Sequence, residues 1–175
     1  MKVEMLTLDA LHEAAREVEK QQFVEQYVGF FLVALGTLSA EEIQQGKQAR
    51  VPGLEPDTVA FSFDGAFDVS QKDYPLRGQV FFLRSGPEAD ELLVGSSPTC
   101  EITVDDSSVS EIHCVIRVGS ADLGVTDAQS TNGTLVNLVQ LSPQTEKMLN
   151  DEDVVSIGRC CFQVFSATAF YDHLI

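Results

Sequence analysis

The chain has 175 residues, enough for one well-buried domain with an appendage but tight for two full domains, and its 44% hydrophobic content fits a folded protein. Eleven Lys and Arg stand against 27 Asp and Glu, for a net charge of −16. A surface of that sign repels nucleic acid and anionic membrane, so neither is expected as a partner.

Four cysteines, Cys100, Cys114, Cys160 and Cys161, form no C-x-x-C pair and have no accompanying His ladder, so no zinc or other metal site and no disulfide framework is expected. They read as free, mostly buried thiols of a cytoplasmic protein, with the vicinal Cys160 and Cys161 pointing to opposite faces of a strand. Met1 to Asp9 lacks a basic region followed by an apolar core, and the most apolar window, Val28 to Leu38, is too short to span a bilayer.

In chain order, Leu8, Leu11, Ala15 and Val18 recur at helical spacing, with Glu13, Arg16, Glu17, Glu19 and Lys20 on the other side. This predicts an amphipathic helix of about 15 to 20 residues, capped by Thr7 or Asp9. Its apolar stripe is expected to pack on the chain's own β domain, since the heptads do not persist as a coiled coil requires. From Phe23 to Leu38 the run is too short and too apolar for periodicity to decide; the expectation is helix to about Tyr27 and strand from Gly29 to Leu35. Ser39-Ala40-Glu41-Glu42 forms a capping box for a short helix to about Gln48. Residues 49–60, with Pro52, Gly53 and Pro56, read as a loop; Phe61 to Asp64 alternates like a strand, and Gly65 to Gly78 as polar connecting chain.

From Gln79 on, short apolar runs follow one another with turn signals between them: Gln79–Arg84, Leu92–Gly95, Glu101–Val104, His113–Val118, Leu123–Asp127, Thr134–Asn137, Val154–Ile157 and Cys161–Phe165. Such spacing argues for a β-sandwich, with Asn132-Gly133 as a hairpin-grade turn. The tail from Ala167 to Ile175 places Phe170, Tyr171 and Leu174 on one face of a helical turn, expected to close the bottom of the sandwich. The expected organisation is a helical segment at 1–48, an extension at 49–78, the β domain at 79–166 and a tail at 167–175.

Three turns rich in Ser, Thr, Asn and Gly lie between these strands: Gly95-Ser96-Ser97, Ser107 to Ser110, and Ser130 to Gly133. Their hydroxyls, amides and backbone N–H groups are donors, and loops gathered at one end of a sandwich can hold an anion. Gly95, then Ser110-Glu111-Ile112-His113, then Asp127-Ala128-Gln129-Ser130-Thr131-Asn132-Gly133-Thr134-Leu135-Val136-Asn137 is a long and constrained pattern. It resembles the forkhead-associated (FHA) domain, a phosphothreonine-peptide reader, and Leu149 to Gly158 is similar to that family's closing segment, with Glu152 where Gly is usual. The resemblance covers roughly residues 79 to 166. It implies a mainly β fold, an FHA-type sandwich of two antiparallel sheets preceded by a helical N-terminal segment. It also implies that Ser110 donates to phosphate, that Asn132 holds the ligand backbone, and that His113 and Gly95 are structural.

The sequence departs from the family where charge matters. Ser96 stands at the position of the phosphate-contacting Arg, and Glu111 where a basic residue is frequent. Between Gly95 and Asn137 the only basic residue is Arg117, against six acids, Glu101, Asp105, Asp106, Glu111, Asp122 and Asp127. A phosphothreonine carries about −1.5 to −2 charges. Losing a hydrogen-bonded Arg costs about 1.5 to 3 kcal/mol, or about tenfold to several hundredfold in affinity. The deficit stands unless Lys72, Arg77, Arg84 or Lys147 folds in. Ser96 and Ser97 bind more weakly where Arg would sit, and with Ser110, Glu111, Thr131, Asn132, Gly133 and Asn137 they form the expected ligand-binding set, Asn137 either orienting a flanking ligand residue or capping a strand end.

The expected function is therefore a protein-protein interaction module of the FHA family, degenerate in phosphothreonine recognition, docking a partner in signalling or assembly. The alternative is a phosphothreonine-peptide reader with an altered pocket. The expected partner is a protein carrying a phosphothreonine or a basic surface, with no cofactor, and the chain acts as a monomer or weak homodimer. A Ser110, His113 and Asp127 catalytic set, or Cys114 as a nucleophile, is the remote alternative, since no nucleophile-elbow motif surrounds Ser110.

Overall fold

The computed structural model describes residues 2–38, 76 and 78–175. The helix expected from Ser39, the loop at 49–60, the strand Phe61–Asp64 and the connecting chain at 65–75 and 77, with Lys72 and Arg77, lie outside the described residues.

Twelve strands are described: β1 Val3–Thr7, β2 Gly29–Thr37, β3 Gln79–Arg84, β4 Asp90–Gly95, β5 Ile102–Thr103, β6 Cys114–Val118, β7 Leu123–Asp127, β8 Thr134–Val136, β9 Val139–Gln140, β10 Lys147–Leu149, β11 Val154–Ile157 and β12 Cys160–Ser166. They form a seven-stranded sheet, order β1-β3-β2-β12-β11-β8-β9, and a five-stranded sheet, order β10-β7-β6-β4-β5. The pairs are antiparallel except β4 with β5, where Val94 faces Ile102 in a parallel register, so the second sheet is mixed rather than wholly antiparallel. The chain loops back through residues 96–101 before pairing, which sets that direction.

The apolar stretch at 29–37 resisted periodicity because both of its faces are buried. Leu32 and Ala34 enter the core between the sheets, beside Phe81, Leu83, Leu92, Ile116, Val125 and Phe162. Phe31 and Val33 point the other way, into a second core with Leu11, Ala15, Phe23, Val80, Phe82, Phe165 and Phe170. Three helices cover that outer face: α1 Leu8–Glu17, α2 Lys20–Gln26 and α3 Ala167–Leu174. Phe31 and Phe170 stack at 4.4 Å. Burying one such ring stabilises by about 1.5 to 3 kcal/mol, and a well-oriented aromatic pair adds about 0.5 to 1.5 kcal/mol.

The expected single N-terminal helix is two, broken at Val18-Glu19, and it packs on the chain's own sheet. Thr7 caps α1 by accepting from the Ala10 N–H at 3.3 Å. Ahead of it, β1 pairs with β3, Val3 opposite Leu83, as an edge strand that the sequence did not announce. The tail forms α3 against the outer face of the seven-stranded sheet, not the bottom of the sandwich. Cys160 lies in the inter-sheet core and Cys161 in a separate cluster with Leu38 and Val154, on opposite faces as the strand alternation requires. All four cysteines are buried.

Candidate functional site

Three connections meet at one end of the sandwich: residues 96–101 after β4, 104–113 before β6 and 128–133 before β8. The tight turn Gly158-Arg159 between β11 and β12 joins them. The first two are zipped by backbone bonds, Ser96 N–H to the Ser110 carbonyl (2.9 Å) and Ser97 N–H to the Glu111 carbonyl (3.2 Å). Gly95 makes that approach possible, since a Cβ there would lie 2.1 Å from the Glu111 carbonyl oxygen and 2.9 Å from that of Ser110. Its role is close approach rather than a special backbone angle.

His113 ties the loops together. It is fully buried, and its Nδ1 accepts from the Ser110 backbone N–H at 3.0 Å. A neutral ring with an accepting Nδ1 carries its proton on Nε2, which then donates to the Gly133 carbonyl 3.0 Å away. The Gly158 N–H also lies 3.2 Å from Nε2, a contact that is no hydrogen bond while that nitrogen is protonated. Burial pushes the His113 pKa below its usual value, against the opposing pull of the Gly133 carbonyl and of Asp127.

The 128–133 turn is organised by Asp127, buried at 2% exposure. Its carboxylate accepts from the Ser130 hydroxyl (2.5 Å), the Ser130 N–H (3.1 Å) and the Thr134 hydroxyl (2.6 Å). Gly133 N–H donates back to Ser130 Oγ at 3.0 Å, and Gly133 adopts φ +83, which favours glycine. Ser110 Oγ accepts from the exposed Thr131's N–H at 3.0 Å, which leaves the Ser110 hydroxyl proton for an outside acceptor. The Asn132 side-chain amide donates to the Ser108 carbonyl at 2.8 Å, clamping one loop to the next.

The loops thus bring together Ser96, Ser97, Ser110, Glu111, Thr131, Asn132 and Gly133 around Gly95 and His113. Asn137 is not among them. It lies at the far end of β8, where its amide donates to Asp153 (2.8 Å) and its Oδ1 accepts from Val154 N–H (2.9 Å), the strand-end role of the two expected. No Ser-His-Asp relay is assembled: His113 bonds the backbone of Ser110 rather than its hydroxyl, and Asp127 is spent on Ser130 and Thr134. Burial drives the Cys114 thiol far above its usual pKa, which favours the protonated thiol over the reactive thiolate. Among the described residues no cluster of His, Cys, Asp and Glu could hold a metal ion, and no helix is long and apolar enough to cross a membrane.

Two of the four cations proposed to fold in are described, and neither sits in these loops. Arg84 ends β3 opposite Gly29, at the other end of the sheet, with its guanidinium 5.2 Å from the Phe82 ring centroid. Lys147 opens edge strand β10 opposite Val125. Among the described residues a cation that does reach the loops is Arg159, which sequence reasoning missed. Its Nε donates to both oxygens of Asp106 (3.1 and 3.0 Å) and its Nη2 to Oδ2 (2.7 Å), while its backbone N–H donates to Ser108 Oγ (3.0 Å). Burial of Asp106 works against its charge, but Arg159 and Ser108 outweigh it and hold the carboxyl below its usual range. The only signal for Arg159 in the sequence was its place directly after the closing Ile157-Gly158.

Comparison with known proteins points the same way. The FHA domain family model matches residues 92–158. An FHA domain-containing protein of Arabidopsis thaliana is 38% identical over 58 residues, 33% of this chain and 15% of that protein. An oxoglutarate dehydrogenase inhibitor of Corynebacterium efficiens is 34% identical over 93 residues, 49% of this chain and 63% of that protein. The chain thus spans less than two thirds of either relative's length. The solution structure of the FHA domain of an Arabidopsis thaliana hypothetical protein shares the fold, with a TM-score of 0.51 and 22% identity over 78% of this chain and 83% of that one. Over residues 92–158 the chain is therefore an FHA domain, a phosphopeptide-binding type of protein-interaction module, within a mainly β sandwich.

Proposed function

We propose that this FHA domain docks a protein partner through its loop end with little help from phosphate. One feature supports the reading: by the resemblance, Ser96 falls where the family carries its phosphate-contacting Arg, and Glu111 is exposed beside it. Asp105 is exposed on the same loop set, and the guanidinium of Arg159 is engaged by Asp106, so the rim suits a basic partner surface. The chain catalyses no reaction in this reading. Its buried thiols fit a reducing cytoplasm, and it works as a monomer or weak homodimer. A second reading, a phosphothreonine reader with an altered pocket, is favoured by the Ser110 hydroxyl, whose proton is left for a ligand oxygen. Capture of partner proteins on the immobilised chain separates the two. Retention that survives phosphatase treatment and weakens with added salt supports docking without phosphate, and retention lost on phosphatase treatment overturns it.

A further inference from the structure

Asp106 is held as a bound anion is held. Its side chain is 11% exposed and receives a side-on guanidinium from Arg159, the Ser108 N–H at 2.9 Å and the Ser108 hydroxyl at 2.7 Å. A bidentate guanidinium, a backbone amide and a hydroxyl are the donor set of a phosphate or carboxylate site. The chain's own carboxylate fills it. The cradle adjoins the recognition loops: Asn132 clamps the Ser108 carbonyl, and Ser110 is two residues on, within about 7 Å between Cα atoms however the loop is drawn out. The Arg159 side chain is 50% exposed, so its partner can be exchanged from solvent.

We propose that Arg159 is the cation of this site and Asp106 its built-in competitor, an internal carboxylate that an incoming phosphate must displace. The proposal rests on the reading that phosphate adds little to docking, and it supplies the cause: the chain kept a cation at the loops and occupied it. A ligand phosphate at Ser110 meets Asp106 as a second anion on one guanidinium, so like-charge repulsion and competition act together. With the carboxylate gone, Arg159 and the Ser108 donors form an anion site at the edge of the recognition loops.

The test is titration of the full chain with inorganic phosphate at constant ionic strength, read from the NMR signals of the Ser108 and Ser110 amides and the Arg159 Nε–H. Asp106→Asn keeps the shape and removes the charge, and is expected to bind phosphate at least about tenfold tighter than wild type, the increment of one charge-assisted hydrogen bond. Asp106→Asn with Arg159→Gln is expected to fall back to the wild-type level. Asp106→Ser gives the same comparison should the Asn variant fold poorly, with the Ser110 amide held by His113 reporting an intact loop. Equal affinities in wild type and the Asp106 variants overturn the proposal, as does a double variant that binds as tightly as Asp106→Asn. A wild-type chain whose partner retention is lost on phosphatase treatment overturns the docking reading instead, and leaves the variant comparison to decide the role of Arg159.

Discussion

Acid should loosen the loop end of the sandwich through His113. The ring is fully buried as the neutral form, accepting from Ser110 and donating to Gly133, and its folded pKa is lowered from 6.5. The unfolded chain therefore binds a proton at higher pH than the folded one. Stability from this group is complete above about pH 6.5 and falls as pH drops through that value towards the folded pKa, by up to about 1.4 kcal/mol per pH unit. Replacing His113 by Ala strands the Ser110 N–H and the Gly133 carbonyl, each at about 1 to 3 kcal/mol, so about 2 to 6 kcal/mol of a typical 5 to 15 is lost. Urea unfolding of both proteins at several values between pH 7.5 and 5 measures both effects. His12 and His173 are common to both proteins and cancel. A wild-type stability that falls no faster than that of His113→Ala over this range, or a variant as stable as wild type at pH 7.5, refutes the reasoning.

Gly95→Ala drives a Cβ to 2.1 Å from the Glu111 carbonyl and forces the zipped loops apart; a loss of about 2 to 4 kcal/mol is expected by denaturant unfolding, from overpacking plus the two loop hydrogen bonds. Glu152 adopts φ +72, a left-handed angle that costs a non-glycine residue about 1 kcal/mol, so Glu152→Gly should raise the melting temperature by a few degrees. On the proposed reading, Ser96→Arg adds a guanidinium at the loop end and should tighten phosphothreonine-peptide binding by about tenfold to several hundredfold in calorimetry, with no gain for the unphosphorylated peptide.

The fold and the loops were legible to different degrees for physical reasons. Strands such as Leu123–Asp127 and Val154–Ile157 bury their apolar residues between clear turn signals, so composition placed them. Val3–Thr7 was illegible because an edge strand pairs on one side and leaves Met5 at 61% exposure, so little in its side chains marks it. Val139–Gln140 and Lys147–Leu149 are too short to carry a pattern. The residues that tie the loops together could be named because Gly95, Ser110, His113 and Asn132 act through close approach and hydrogen bonds to backbone that few residue types satisfy. Arg159 could not, since a lone basic residue after a turn looks like any other until the fold sets it 2.7 Å from Asp106. Asn137 sat in the motif but serves the opposite end of β8, because a three-residue strand carries it away from the loops.

The most direct test of the account is calorimetric titration of the wild-type chain with one phosphothreonine peptide and its unphosphorylated twin, at physiological salt. Affinities within about tenfold of each other, or phosphopeptide binding no tighter than about millimolar, are the predicted result for a loop end whose cation is already engaged. A micromolar phosphopeptide with an unmeasurable twin contradicts it.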